Sequence, residues 1–254
     1  MKIVVSPAKS LDYERSFDTP DVSIPTFLKE ADQLAKKLAK FSPKKLADLM
    51  HLSPALADLN VERYSNWVAP TKLSENVKPS ATVFTGEVYK GLEVETFTNE
   101  NWKVAQEKLR ILSGLYGILK PLDLMYPYRL EMGTKWQVTP KVKNLYEFWG
   151  DKVAKALLSE MKEGEVLVNL ASNEYFKVIA KHLKNITVIT PVFKEFKNGD
   201  YKVVMMYAKH ARGAMARDII TQNYSSHEDL KGYNVDGYTF NEQLSSEKEW
   251  VFVR

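Results

Sequence analysis

The sequence predicts an α/β protein: a single domain over residues 1–254 with a mixed sheet surrounded by helices and an N-terminal helical bundle inserted at 25–67. Three observations lead there. Short apolar runs at 2–5, 81–84, 109–112 and 165–170 alternate with longer segments of helical spacing, the pattern of strand–helix units. The runs at 186–196 and 201–208 flank Asn198-Gly199, a strong hairpin signal, so the sheet is mixed rather than purely parallel. Ser42-Pro43 and Ser53-Pro54 each place a capping side chain before a first-turn proline, which starts two short helices.

The elements follow in order. The run 2–5 reads as a buried strand. After a polar loop, Pro25 opens a helix in which Phe27, Leu28, Ala31, Leu34, Ala35, Leu38 and Phe41 share one face, with Lys36, Lys37 and Lys40 largely on the other. The two Ser-Pro helices complete the bundle. A second strand is expected at 81–84, then a turn at Thr85-Gly86 and helical sequence to about residue 108. A strand at 109–112 ends in Ser113-Gly114. One long helix is expected over 145–161, a strand at 165–170 and a helix from Asn173. The hairpin follows, then a helix over 209–223 and late strands at 237–240 and 250–253. No internal repeat, low-complexity stretch or long linker interrupts the chain.

Composition narrows the chemistry. Hydrophobic residues are 44% and charged residues 27% of 254, an ordinary globular mix in a chain long enough to bury a core without staples. There is no cysteine, which excludes disulfides, thiolate metal sites, cysteine nucleophiles and thiol-based sensing of peroxide. The N-terminal apolar run is too short for a signal peptide and no stretch reaches the length of a membrane span, so a cytoplasmic location is expected. His51, His182, His210 and His227 show no ligand spacing, and no nucleotide-binding loop or hydrolase elbow is present. Neither a metal site nor a cofactor is expected. Net charge is only +4, but residues 203–217 hold Lys209, Arg212, Arg217 and His210 without an acid, while acids dominate from Asp218 onward. That asymmetry suggests a positive patch.

Several predicted strand ends carry small or polar residues: Ser6-Pro7-Ala8-Lys9, Thr85-Gly86, Ser113-Gly114 and Ala171-Ser172-Asn173. Ligands in α/β sheets bind outside the carboxyl ends of strands, where helix starts also offer N–H groups to anions. Residues 110–135 interleave aromatic side chains with cations, a composition suited to single-stranded or distorted nucleic acid. Lys209 and Arg212 share a helix face at a helix start, where the dipole does not favour cations, and Gly213 inside that helix suggests close approach of another backbone.

These readings give a first hypothesis of binding to DNA, double-stranded or structured. Ser6, Lys9, Arg110, Lys120, Arg129, Ser172, Lys209 and Arg212 would contact phosphate, and Tyr89, Tyr116 and Tyr128 would stack or shape the cleft. A second hypothesis is an enzyme acting on a small anionic substrate there, with Lys9 as electrophile or nucleophile and Glu131 or Glu174 as acid or base. A third is an interaction protein that docks through the helical bundle. No protein partner and no membrane is implied.

The chain also resembles the YaaA family of peroxide-stress proteins. The resemblance rests on Ser6-Pro7-Ala8-Lys9-Ser10-Leu11-Asp12-Tyr13, on 84–92 (FTGEVYKGL), on 112–117 (LSGLYG), and on 120–125 (KPLDLM) running into 127–133 (PYRLEMG). It continues through 148–151 (FWGD), 169–176 (NLASNEYF) and 207–213 (YAKHARG), so it spans essentially the whole chain in order. It implies protection against hydrogen peroxide by keeping free intracellular iron low. It also implies DNA binding through a positively charged cleft in an unusual α/β fold with a helix-hairpin-helix-like element. Such an element would fall at 42–64, where the connection His51-Leu52-Ser53 has no glycine.

Overall fold

A computed structural model describes residues 1–15 and 19–254. β1 (Lys2–Val5) is buried along its whole length. Three helices follow it: α1 (Leu28–Leu38), α2 (Pro43–Met50) and α3 (Pro54–Ser65). Ser42 and Ser53 cap the second and third, their hydroxyls accepting from the Lys45 and Leu56 N–H groups. Each proline fills a first-turn position whose N–H would have no partner. Each cap contributes about 1 kcal/mol. His51 ends α2 in the left-handed conformation, with φ 52°, at a position that usually favours glycine. The inward residues of these helices, among them Leu34, Leu38, Leu46 and Tyr64, belong to the same core cluster as β1.

The expected strand at 81–84 is instead a helical turn. β2 (Lys78–Pro79) leads into α4 (Ser80–Val83). The Ser80 hydroxyl donates to the Lys120 and Pro121 carbonyls, and Ala81 N–H donates to Pro121 O, so the segment bonds to a loop rather than to a strand. Phe84 makes only an isolated bridge to Leu11. A short run buried on every side carries no periodicity to separate turn from strand.

α5 (Glu87–Leu92) and α6 (Asn99–Lys108) lead to β3 (Leu109–Ser113), and β4 (Gly117–Leu119) folds back on it. β5 (Leu124–Met125) pairs with β2. The expected helix over 145–161 is two, α7 (Leu145–Trp149) and α8 (Lys152–Ser159), because Gly150 between them has φ 54° and stops the first. β6 (Leu167–Leu170), α9 (Asn173–Ala180) and β7 (Val188–Lys197) follow. Asn198 and Gly199 both take positive φ, as a two-residue hairpin turn requires. The return strand β8 (Asp200–Lys202) is short, since α10 (Met205–Thr221) begins well before residue 209. Ala208, Ala211, Met215 and Ile219 recur at helical spacing and are buried, which outweighs the strand propensity of 201–208. β9 (Thr239–Asn241) and β10 (Glu249–Val253) close the sheet.

The eight strands run in the order β4-β3-β1-β6-β7-β10-β9, with β8 on β7. β3, β1, β6, β7 and β10 are parallel, and β4, β8 and β9 pair antiparallel to their neighbours. This is a single mixed sheet with helices around it. The chain moves from β1 out to β3 and then back across β1 to β6, so the topological switch lies at β1 and its carboxyl end opens the crevice. α10 lies across α5 at very short range. A Cβ on Gly213 would sit 1.7 Å from Val88 O, and one on Gly91 2.2 Å from His210 O. The close approach expected at Gly213 is therefore to α5. Among the described residues no helix is long and apolar enough to cross a membrane.

Candidate functional site

The carboxyl ends of β1 and β6 meet. Ser6 Oγ accepts from the Ser172 N–H at 2.9 Å and donates to Ser172 Oγ at 3.2 Å. The Tyr89 hydroxyl, brought in by α5, donates to Ser6 O at 3.1 Å. Two segments far apart in sequence are thus tied to the first strand where it ends.

Beside them the 126–133 segment crosses the strand ends. Lys9 Nζ lies 2.7 Å from Glu131 Oε2, and Arg129 holds the other carboxylate oxygen at 3.3 Å. Arg129 Nε is buried with no hydrogen-bond partner. The Gly133 N–H donates to Glu174 Oε1 at 2.8 Å, which fixes that carboxylate in the first turn of α9. Lys9, Arg129, Glu131, Glu174, Ser6 and Ser172 therefore lie in one neighbourhood, and the carboxylates partly cancel its positive charge.

The three site tyrosines have another role than stacking. Tyr116 is 0% and Tyr128 6% exposed, and Tyr89 is buried as well. Tyr128 shares a 2.6 Å hydrogen bond with Ser113, and the Tyr116 hydroxyl accepts from the Tyr126 N–H at 3.0 Å. The Tyr64 hydroxyl, on α3, donates to Arg129 O at 2.7 Å. Burial raises the pKa values of all four phenols, so they stay neutral hydrogen-bonding groups. Their rings are buried, so of the two expected roles, to stack or to shape the cleft, Tyr89, Tyr116 and Tyr128 present no open face for the first.

Arg110 and Lys120 fall elsewhere. Arg110 pairs with Val4 near the start of the parallel strands, about 10 Å before Ser113 along β3. It is 3% exposed, with Nη2 2.5 Å from Glu160, and Lys120 approaches the same carboxylate at 3.2 Å. Arg110 Nη1 also donates to the Gln106 and Leu109 carbonyls. Burial works to raise the Glu160 pKa, but the two cations outweigh it and hold the carboxyl below its ordinary value. The open space beside this group is about 10 Å³, too little for a ligand. Both cations are therefore structural and lie at the edge opposite the strand-end crevice.

Lys209 and Arg212 lie in the first half of α10, the helix that follows the hairpin at the carboxyl end of β7. Lys209 is exposed and Arg212 half-buried, and neither has a hydrogen bond or ion pair with a described residue. Burial alone draws the Arg212 pKa down. Around them the β7–β8 hairpin and the start of α10 expose Phe196, Val203, Met205, Met206 and Tyr207, with Lys197 and Lys202 on the hairpin itself. Phe196 and Tyr201 pack edge to face with centroids 5.2 Å apart. Arg254 lies over Tyr207 at 5.0 Å and binds Glu195 at 2.9 Å, which joins the helix start to the end of β10.

One cleft takes in Thr85 and Tyr126 from the segments singled out in the sequence but none of the expected phosphate-contact or acid–base residues. It encloses about 570 Å³ between α3, the loop after β1 and Tyr126-Pro127. Arg63, Asn66, Asn76 and Thr85 line it, as do the acids Asp12, Glu14 and Glu62. Glu62-Arg63 reads in the sequence as an ordinary exposed helical charge pair. Only the folding of α3 over the β1 loop places the arginine beside a cavity.

The comparisons with known proteins agree along the chain. A family model described as peroxide stress protein YaaA matches residues 1–244. A UPF0246 protein of Idiomarina loihiensis is 49% identical over 100% of this chain and 98% of its own length. Another, of Flavobacterium johnsoniae, is 48% identical over the full length of both. A third, of Ralstonia pickettii, is 47% identical over 100% of this chain and 99% of its own. With matches that extend across the sheet, the strand-end loops and α10 alike, the chain belongs to the family of the peroxide stress protein YaaA.

Proposed function

We propose that this peroxide-stress protein binds DNA across the carboxyl edge of its parallel strands, and so helps limit oxidative damage linked to free intracellular iron. The observation that carries this reading is that Lys209 and Arg212 on α10, and Lys197 and Lys202 on the preceding hairpin opposite Asp200 and Glu195, form no ion pair with a described residue, on segments that also expose Phe196 and Tyr207. Cations that neutralise phosphate next to exposed rings are the composition of a surface that tracks a nucleic-acid backbone and stacks on bases. Ferrous iron and peroxide generate radicals that attack DNA, so a protein bound there stands at the target of the damage.

The test is binding of labelled single-stranded, duplex and branched DNA across a salt series, with wild type beside the Lys209→Ala, Arg212→Ala double variant. Tight, salt-sensitive binding by the wild type, weakened in the folded variant, supports the reading. No binding at low salt removes it.

A second reading is favoured by Glu131, held between Lys9 and Arg129, and by Glu174, fixed by a backbone N–H. Carboxylates oriented this closely beside a lysine suit acid–base work on a small anionic substrate. That reading requires a small molecule that the protein retains or converts, and loss of this property in Lys9→Ala.

A further inference from the structure

The cleft under α3 shows features that the cations of α10 and the β7–β8 hairpin do not account for. Arg63 lies in the last turn of α3, half-buried, with no carboxylate within ion-pair distance and no hydrogen bond to a described residue. The helix dipole favours a cation there, but by less than about 1 kcal/mol on a surface, which does not offset partial burial. Burial lowers the Arg63 pKa, and the charge of Arg129, whose buried Nε has no hydrogen-bond partner, adds to that effect. Glu131 engages only the other end of that guanidinium. A half-buried guanidinium that forms no ion pair of its own and feels a second cation is stabilised by an anion.

The remaining walls describe what is attached to that anion. The side chains of Asn66, Asn76 and Thr85 and the Tyr126 hydroxyl line or face the cleft, and none makes a hydrogen bond to a described residue. The loop that forms the floor is fixed: Lys78 donates to the Tyr13 and Arg15 carbonyls, and Tyr13 donates to Met125 O at 2.9 Å. Asp12 and Thr85 stay in place through backbone bonds to Val83 O and Ser10 O. A preformed cavity of about 570 Å³ falls in the range of small-molecule sites, roughly 300–1,000 Å³. Glu14 and Glu62 on the rim repel a polyanion but accept hydrogen bonds from hydroxyl or amino groups.

We infer that this cleft binds a small molecule with one anionic group, seated on Arg63, and a body rich in hydroxyl or amino groups read by Asn66, Asn76 and the rim carboxylates. A nucleoside monophosphate and an amino-acid-like carboxylate share that chemistry. A nucleoside triphosphate carries too much charge for the rim, and a duplex is too wide for the cavity. The site stands independently of DNA binding on α10.

The test is calorimetric titration and thermal shift of the full chain with adenosine 5′-monophosphate, glutamate, and adenosine 5′-triphosphate as the overcharged control. Saturable binding of the monophosphate or of glutamate, with a melting temperature that climbs with ligand concentration, is expected, and the arm that binds identifies phosphate or carboxylate as the anion. Arg63→Gln should weaken that binding by about tenfold or more, the loss of one charge-assisted hydrogen bond, while Lys209→Ala leaves it unchanged. If Arg63→Gln is itself less stable, Asn76→Ala on its exposed loop carries the test, and weakened binding there is expected. The assignment is overturned if neither probe binds at millimolar concentration, if the triphosphate binds better than the monophosphate, or if Arg63→Gln and Asn76→Ala both bind like wild type.

Discussion

The two edges of the parallel strands treat their charges in opposite ways. At the amino edge the buried cations all have partners. Arg110 and Lys120 share Glu160, Lys2 donates to Glu107 O, Lys108 to Asn223 and Tyr224 O, and the chain's own amino terminus binds Glu165. At the carboxyl edge Lys9 and Arg129 share Glu131, but Lys209, Arg212 and Arg63 have no ion pair with a described residue and Arg129 keeps one nitrogen unsatisfied. Buried or half-buried charge without a partner opposes folding, so the protein keeps it where something outside the chain completes it. Charge count does not distinguish the edges. Charge satisfaction does.

The comparison breaks first at Arg110. Replacing it with alanine leaves Glu160 with Lys120 alone, a half-buried partner, and should cost about 3 kcal/mol, as for a broken buried pair. That lowers the melting temperature by about 6–12 °C in a chain of this size. DNA binding per folded molecule should not change. If Arg110→Ala instead lost DNA binding at full stability, the division between edges would be wrong.

The Lys209→Ala, Arg212→Ala variant should do the reverse. Its melting temperature stays near wild type, while the slope of log affinity against log salt on duplex DNA shrinks by about 2, one unit for each phosphate contact removed. A slope equal to wild type would move the contacts off α10.

The pH dependence sharpens the amino edge. The folded Glu160 pKa lies below its ordinary value of 4.5, so its ion pairs stabilise the protein above that pH, and the contribution is lost as pH falls through the depressed folded value. Glu160→Gln should therefore flatten the acid limb of the stability profile, as read by urea unfolding between neutral and acid pH. The smallest effect belongs to Arg212→Ala alone. Removing a desolvated cation that has no partner should change stability by about 0.5 kcal/mol or less, in either direction.

The sequence reveals the strands and helices where local signals are strong. Ser-Pro caps, Asn198-Gly199 and the buried 2–5 run each have one physical reading, and all three appear where expected. Residues 81–84 and 145–161 miss because tertiary bonds to the 120–123 loop and one positive φ at Gly150 decide them. At the site, Ser6, Lys9, Glu131 and Ser172 in the loops and Glu174 in the first turn of α9 stand out in sequence because small and charged residues around strand ends carry meaning, and the fold brings them together. Arg110 and Lys120 look the same as Arg129 on paper. Their separation depends on strand direction, since β4 returns antiparallel and carries Lys120 to the far edge. Tyr116 and Tyr128 mislead because an aromatic side chain among cations looks alike whether it faces solvent or core. Arg63 is silent because its neighbourhood is made by segments at 11–14, 76, 85 and 126 that no local pattern joins.

Amide hydrogen exchange with and without a saturating oligonucleotide tests the division between edges most directly. The account predicts slowed exchange in the β7–β8 hairpin, in the first turns of α10 and in the strand-end loops after β1 and β6, with no change around Arg110, Lys120 and Glu160. Protection confined to the Arg110 edge, with the hairpin and α10 exchanging as in the free protein, would contradict it.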